Sequence, residues 1–254
     1  MNKELRTNKK ITIEAIPGIP HINKGDNVSD VIINASKKAG FVFEDGDILC
    51  VASKAISISE DRLVALNTVN VGNLAHELHE RIPRKDPRTL QLIIDATGTS
   101  DLSRLEIADN YVAGWLPNGN RLTSAGVDKM GPDHVVLLPE DSDESAMRIG
   151  NSIQKNFNVR VAVVVTDSDG RVEKAGATQV AIGLYGLPGL RRSTTTDDSG
   201  SVKIADETLC DLVAASAALI MGQRGTNRPV VVVRGLSYEF DEKSKIRQAL
   251  SRPE

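Results

Sequence analysis

Hydrophobic and polar positions recur along the chain with two different periods, which predicts a mixture of strands and helices. Runs of β-branched residues, or alternating apolar and polar residues, predict strands at Ile11–Ile16, Ile48–Ala55, Val161–Val165, Gln179–Leu184 and Pro229–Arg234. Apolar residues three and four positions apart predict helices at Ser29–Lys38, Asn73–Arg81, Arg88–Ala96, Glu144–Ile153 and Asp206–Met221.

Turn-forming residues separate these elements. Gly40 terminates the first helix, and the Asp45-Gly46-Asp47 triplet forms a turn before the second strand. The Asn118-Gly119 pair predicts a hairpin that begins at Tyr111–Leu116. Strands and helices do not alternate strictly, and neither a P-loop nor a glycine-rich dinucleotide loop is present. The pattern predicts an α/β fold whose nucleotide site, if it has one, is of an uncommon type.

No linker divides the chain, so residues 11–236 are expected to form one functional unit, followed by a charged tail or short helix over residues 237–254. Of 254 residues, 40% are hydrophobic and 26% are charged, which is typical of a globular protein. The net charge of −3 and the aromatic content of 3% argue against a nucleic-acid partner. The polar segment Met1–Lys10 and the lack of any long apolar run predict a cytoplasmic protein without a membrane segment. Cys50 and Cys210 lie in apolar stretches and are expected to be buried free thiols rather than a disulfide.

Candidate chemistry lies at two aspartates. Asp128 follows a glycine turn, and Asp167 directly follows the apolar run Val161–Val165 and Thr166. A single aspartate at a strand end is more often a turn former or a helix cap than a ligand, and we favour caps for Asp141 and Asp143. Two aspartates with neighbouring hydroxyls and no Cys/His cluster favour Mg²⁺ or Mn²⁺ over Zn²⁺.

The remaining charged candidates are weaker. The four histidines are isolated and are more typical of surface or loop residues than of catalytic bases: His21, His76, His79 and His134. The pairs Arg191-Arg192 and Asp197-Asp198 are expected to be solvated loop charges, although a basic pair close to the site would suit an anionic substrate.

Several segments together resemble the coenzyme F420-0:L-glutamate ligase family. They occur in family order over about residues 11–236: Gly18-Ile19-Pro20-His21-Ile22-Asn23-Lys24-Gly25-Asp26, Asp45-Gly46-Asp47-Ile48-Leu49, Ala52-Ser53-Lys54, Ala125-Gly126-Val127-Asp128, Leu137-Leu138-Pro139-Glu140-Asp141, Thr166-Asp167-Ser168, Gly170-Arg171, Val180-Ala181-Ile182-Gly183, Met221-Gly222-Gln223 and Val233-Arg234-Gly235.

The resemblance implies a two-lobed mixed α/β fold that forms intertwined homodimers. It also implies a GTP-dependent acid–amino-acid ligase that uses Mg²⁺ or Mn²⁺, with K⁺ as a further ion. The implied reaction transfers the γ-phosphoryl group to a substrate carboxylate, and the amine of L-glutamate then attacks the acyl phosphate. The acceptor implied by the family is a deazaflavin precursor.

Site residues are carried over by motif. Asp128 and Asp167 resemble the catalytic metal ligands, with Ser168 and Gln223 as further metal contacts. The nucleotide contacts implied by the family motifs are Ile19, Pro20, His21, Ile22, Ser53, Lys54, Gly131, Met221, Gly222, Gln223, Arg224, Gly225, Thr226 and Asn227.

The chain also departs from the family pattern. Gly131 stands where the family has a nucleotide-contacting Asn, and Ile58 stands where it has a second Lys. Ser124 replaces an Asn, and Val172-Glu173-Lys174 replaces Pro-Trp-Arg. Lys and Arg are not equivalent where a phosphate is held by two parallel hydrogen bonds. Because both aspartates are retained while the residues around them differ, the pattern indicates a divergent member of the family. Two alternatives stay open: a ligase for a different acid or amine, and a non-catalytic ligand-binding homologue.

Overall fold

The structure is a computed structural model that describes residues 10–223 and 225–251, and it confirms a mixed α/β fold. Its helices are α1 (Val28–Ala39), α2 (Ser53–Ser59), α3 (Asn73–Arg81), α4 (Pro87–Ala96), α5 (Ser142–Phe157) and α6 (Leu209–Met221). Its strands are β1 (Thr12–Ala15), β2 (Ile48–Ala52), β3 (Leu63–Ala65), β4 (Leu105–Ala108), β5 (Tyr111–Trp115), β6 (Arg121–Thr123), β7 (Asp128–Met130), β8 (His134–Val136), β9 (Ala162–Gly170), β10 (Ala177–Tyr185), β11 (Arg191–Thr196), β12 (Val202–Glu207) and β13 (Val230–Arg234). Short 3₁₀ helices cover Leu66–Thr68, Ser124–Gly126 and Ile246–Ala249.

A five-stranded sheet in the order β1-β13-β2-β9-β10 forms the centre of the fold. Only the β2–β9 pair is parallel, and the other three pairs are antiparallel. The last strand, β13, therefore lies between the first two strands of the chain.

Both faces of this sheet are covered, because successive side chains of a strand point to opposite faces. In β2, Leu49 and Val51 belong to one core, which also contains apolar residues of α1 and α5. Ile48 and Cys50 belong to a second core, which is closed by α6. A strand buried on both faces has to be apolar at every position, which explains the continuous apolar runs in the sequence.

Three smaller sheets complete the fold. β3, β8 and β7 form one, β4, β5 and β6 form another, and β11 pairs with β12 as a separate two-stranded ribbon. Among the described residues, no helix combines the length and apolar character that crossing a membrane requires.

Local signals confirm several predicted boundaries. Asn27 caps α1 by accepting hydrogen bonds from the backbone N–H groups of Ser29 and Asp30, and Gly40 ends it in the left-handed conformation. Asp141 caps α5 by accepting from the backbone of Glu144. The Asp143 carboxylate accepts from the backbone of Leu184 and Ile246, so its role is structural as well. Cys50 and Cys210 are buried free thiols, as predicted.

Four sequence expectations were wrong in detail. The second strand ends at Ala52 rather than at residue 55, because Ser53 begins helix α2. The strand before Asp167 does not end there, since β9 continues to Gly170 by pairing with β10. Helix α6 begins at Leu209, and Asp206 belongs to β12. Arg191 and Arg192 lie in β11, where they form ion pairs with Glu207 and Asp206, rather than in a loop.

Candidate active site

A cavity of about 380 Å³ lies where β2 ends and β9 continues past it. Ala52, the last residue of β2, is opposite Thr166 of β9 in the parallel pair. The carboxyl ends of parallel strands are a common position for ligand sites in α/β proteins. The cavity walls come from the loop before α1, the start of α2, the start of β7, the middle of β9 and the segment after α6.

Most residues selected from the sequence line this one cavity, although they come from five separate parts of the chain. Those in its wall are Ile19, Pro20, His21, Ile22, Ser53, Lys54, Asp128, Asp167, Ser168, Met221, Gly222, Gln223, Gly225, Thr226 and Asn227. Ile58, one of the departures from the family pattern, also lies in the wall.

The other candidates lie elsewhere. Gly131 follows β7 with φ +72° and is not part of the described cavity wall. Arg224 lies outside the described residues. Glu173 and Lys174 are exposed residues of the turn between β9 and β10, away from the wall.

Asp167 is the buried carboxylate of the cavity, with 9% of its surface exposed. Its Oδ1 accepts a hydrogen bond of 2.8 Å from the hydroxyl of Ser53. Burial, together with the nearby charge of Asp128, raises the pKa of Asp167 from 3.8 to about 7 against the opposing effects of Ser53, Ser168 and Lys54. The two carboxylates therefore interact electrostatically across the cavity.

Asp128 is the more exposed of the two and is paired with a cation. Its Oδ2 lies 2.8 Å from Nζ of Lys54, and both side chains are a little under half exposed. Lys54 is the second residue of α2, directly after Ser53. Helix α2 thus supplies one polar contact to each aspartate.

A strained turn leads into Asp128. Ser124, Ala125 and Gly126 all have positive φ angles, of 55°, 49° and 72°. Non-glycine residues rarely adopt this conformation, and such strain persists only where surrounding contacts impose it. The Ser124 hydroxyl accepts a hydrogen bond of 2.8 Å from the ammonium group of Lys85. Burial lowers the pKa of Lys85, which Arg84 lowers further, while Asp128 opposes the change.

Sequence reasoning noted Thr166 as a hydroxyl beside Asp167, but it missed two other polar residues of the wall, Gln179 and Arg228. The Thr166 hydroxyl donates to the sulfur of Met221, which joins β9 to the end of α6. Gln179 is opposite Ser168 in the β9–β10 pair, and its buried Oε1 has no hydrogen-bond partner among the described residues. The only signal for Gln179 in the sequence was its amide side chain directly before the apolar run that begins at Val180.

The chemistry of the donors suits a hard cation. Asp128 and Asp167 line one cavity, and Ser168 and Gln223 are residues of the same wall. No group of three or more His, Cys, Asp or Glu side chains suited to a metal ion occurs in residues 10–223 and 225–251. Any cation held here would therefore need further oxygen ligands from a substrate or from water.

Comparison with known proteins identifies the family. The family model described as F420-0:Gamma-glutamyl ligase matches residues 18–235, a range that contains every residue of the cavity wall. The chain belongs to the F420-0:gamma-glutamyl ligase family. The resemblance drawn from the sequence motifs is thereby confirmed.

Relatives within the F420-0:gamma-glutamyl ligase family match almost the whole chain. The coenzyme F420:L-glutamate ligase of Methanopyrus kandleri is 31% identical over 243 residues, covering 94% of this chain and 92% of its own length. The enzyme of the same name from Archaeoglobus fulgidus is 30% identical, covering 96% of this chain and 99% of its own length. The Halobacterium salinarum enzyme is 32% identical, covering 90% and 87%.

Proposed function

We propose that this protein is a nucleotide- and metal-dependent amide ligase that joins a substrate carboxylate to the amine of L-glutamate. The observation that supports this proposal is the placement of Asp128, Asp167 and Lys54 in one cavity. Two carboxylates that could hold a divalent cation, beside an ammonium group, suit a reaction in which cations have to neutralise phosphate charge.

The proposed reaction has two steps. The carboxylate oxygen of the acceptor attacks the γ-phosphorus of GTP, the bond between that phosphorus and the bridging oxygen breaks, and GDP leaves. The nitrogen of glutamate then attacks the acyl carbon of the resulting acyl phosphate. A C–N bond forms, the C–O bond to phosphate breaks, and inorganic phosphate leaves as the amine loses a proton.

The residues have distinct proposed roles. Asp128, Asp167, Ser168 and Gln223 would hold Mg²⁺ or Mn²⁺, which neutralises phosphate charge when it is bound. Lys54 lies 2.8 Å from Asp128 and would exchange this partner for a phosphate oxygen of the nucleotide. The loop containing His21, residues 221–223 and residues 225–227 would enclose the rest of the nucleotide.

The altered residue Ile58 bears on what the cavity can bind. Ile58 places an apolar side chain in the cavity wall where the family pattern has a lysine. A deazaflavin precursor is the proposed acceptor because the relatives are named for coenzyme F420 and glutamate. A different acid or amine remains the alternative substrate pair.

The test is phosphate release from GTP in the presence of Mg²⁺ or Mn²⁺, glutamate and a panel of carboxylate acceptors that includes the deazaflavin precursor. We expect activity in the parent and its loss in Asp167→Asn, because positioning and charge neutralisation carry most of the catalysis in phosphoryl transfer.

Asp169→Asn is the matched control. Asp169 is a buried aspartate two residues along the same strand, but its carboxylate binds Thr123 and does not line the cavity. Full activity in Asp167→Asn would refute the role assigned to Asp167. Nucleotide binding without turnover of any acceptor would instead support the ligand-binding alternative.

A further inference from the structure

Lys85 lies in the short connection between α3 and α4 and contacts the turn that leads into Asp128. Its ammonium group donates a hydrogen bond of 2.8 Å to the hydroxyl of Ser124, the first residue of that turn. The two residues are 39 positions apart in the sequence, so this contact depends on the tertiary fold. Lys85 is not part of the cavity wall and has no role in the proposed reaction.

The turn needs a contact of this kind at its polar end. Ser124 and Ala125 have φ angles of 55° and 49°, which residues with a side chain rarely adopt, so surrounding contacts have to impose them. Ala125 is 1% exposed and belongs to the same core as α1 and α5, and Leu138 fills the space beside Gly126. Packing therefore fixes the second and third residues of the turn, whereas the Ser124 hydroxyl is held by Lys85.

The backbone of Lys85 is fixed on both sides. Its N–H donates to the carbonyl of Ile82, and its own carbonyl lies 2.8 Å from Nδ1 of His79 in α3. The next residue, Asp86, caps α4 by accepting from the backbone N–H of Arg88. The ammonium group therefore extends from a segment that two helices hold in place.

The charge of Lys85 makes its role testable by the sign of an effect. Lys85 and Asp128 interact electrostatically, because the charge of Asp128 opposes the fall in the pKa of Lys85 that burial and Arg84 cause. A positive charge near a cation site repels the cation. If Lys85 acted through its charge alone, removing it would tighten metal binding at Asp128. If Lys85 holds the turn, removing it would weaken metal binding.

We propose that Lys85 is a positioning residue for Asp128, because its hydrogen bond to Ser124 holds the turn in the conformation that directs Asp128 into the cavity. This inference rests on the proposed function, in which Asp128 holds Mg²⁺ or Mn²⁺. Metal ligands have to be held within about 0.5 Å of their productive positions, so a loosened turn lowers the affinity for the cation.

The test measures the affinity for Mn²⁺ alone, from the decrease of the free-ion signal in electron paramagnetic resonance. We expect Lys85→Met to bind Mn²⁺ about three- to tenfold more weakly than the parent, although it removes a positive charge; this is the value of about one hydrogen bond. Ser124→Ala removes only the acceptor and should weaken Mn²⁺ binding to a similar extent. The double variant should bind no more weakly than Lys85→Met, because both changes remove the same contact.

Lys129→Met is the control for charge. Lys129 directly follows Asp128 in β7 and is exposed, so its variant removes a positive charge near Asp128 without removing a contact of the turn. We expect it to bind Mn²⁺ as tightly as the parent or slightly more tightly. Melting temperatures verify that each variant is folded, and Ser124→Ala tests the contact even if Lys85→Met does not fold.

Several outcomes would overturn the positioning role. They are a parent that binds no Mn²⁺, a Lys85→Met variant that binds it as tightly as the parent or more tightly, and losses that add in the double variant. The ligase function is tested separately. If Lys85→Met weakens Mn²⁺ binding but the parent releases no phosphate from GTP with any acceptor, the ligase function is contradicted and the positioning role stands. An active parent with unchanged Mn²⁺ affinity in Lys85→Met would contradict the positioning role alone.

Discussion

Asp167 is a carboxyl group whose ionisation opposes folding, because burial and the charge of Asp128 raise its pKa from 3.8 to about 7. The folded state then holds a proton more tightly than the unfolded state. The resulting contribution of Asp167 to the free energy of unfolding is fully present below about pH 4 and is lost as the pH rises through 7. The shift corresponds to roughly 4 kcal/mol at alkaline pH.

We therefore predict that Asp167→Asn raises the free energy of unfolding at pH 8 and has little effect at pH 4. Urea unfolding in the presence of EDTA at both pH values measures this difference. Asp128→Asn should give a smaller gain of the same sign, because it removes the second cause of the shift. If the free energies of unfolding of the parent and of Asp167→Asn depended on pH in the same way, the prediction would be wrong.

A second prediction at this scale concerns the altered neighbours of the aspartates. Ile58→Lys adds a cation to the cavity wall, and a hydrogen bond to a charged group is worth about 1.5–3 kcal/mol. We expect GTP to bind at least tenfold more tightly, as measured by calorimetry. Gly131→Asn restores the other family residue, but Gly131 is not in the described wall, so we expect the larger gain from Ile58→Lys. No gain from Ile58→Lys would mean that residue 58 does not face the nucleotide.

At the scale of elements, the turn from Ser124 to Gly126 controls where β7 begins and thus where Asp128 points. A Cβ atom on Gly126 would lie 2.5 Å from Leu138, whereas one on Gly131 would meet nothing within 4 Å. Both glycines have φ +72°, so alanine costs about 1–2 kcal/mol of backbone strain at either position. Only Gly126→Ala adds overpacking, of about 1–3 kcal/mol.

Gly126→Ala is therefore expected to lower the free energy of unfolding by clearly more than Gly131→Ala, as measured by chemical denaturation. Because the two variants share the same backbone cost, their difference isolates the contact with Leu138. If both variants lowered the free energy of unfolding equally, Leu138 would have to move aside without any loss of stability.

The elements that the sequence predicted well are those whose signals are local. The buried runs of β2, β9 and β13 and the capped helix α1 depend on apolar periodicity and on neighbours such as Asn27 and Gly40. The polar end of β9 was missed because Asp167, Ser168 and Asp169 become a strand only by pairing with β10. Strand β11 was missed because its sequence, Arg-Arg-Ser-Thr-Thr-Thr, has no apolar residue, and β12 was missed because its apolar alternation is limited to Val202 and Ile204.

The residues of the candidate site also fall into those that the sequence motifs selected and those that they could not. Motif resemblance selected most of the cavity wall, including both aspartates. It could not select Gln179, since an unpaired buried amide is defined by the packing of distant segments.

At the scale of the whole molecule, the ribbon β11–β12 supports the prediction of a homodimer. Every residue of both strands is exposed, and Val202 and Ile204 each expose 62% of their surface on the same face. A two-stranded hairpin is marginally stable alone in water, and exposed apolar patches commonly mark interfaces. We expect the same face of a second copy, or a neighbouring part of it, to cover these two residues.

Replacing both Val202 and Ile204 by Asp should convert a dimer to a monomer at micromolar concentration, as measured by light scattering. Ser193→Asp is the control, because Ser193 is opposite Ala205 and projects from the other face of the ribbon. A parent that is already monomeric, or a double variant that stays dimeric, would exclude the ribbon as the interface.

The position of β13 between β1 and β2 also determines when the main sheet can form during synthesis of the chain. Synthesis on the ribosome delivers β1 and β2 first, but the strand that joins them is complete only when Arg234 has emerged. Until then both strands present an unpaired edge, and the edge of β2 is apolar. Until β13 is made, the main sheet of the nascent protein lacks the strand that joins β1 to β2, and a chain shortened before Val230 would lose an interior strand of that sheet rather than an edge strand. Late closure of such a non-local pairing favours slow folding and gives chaperones a defined segment to protect.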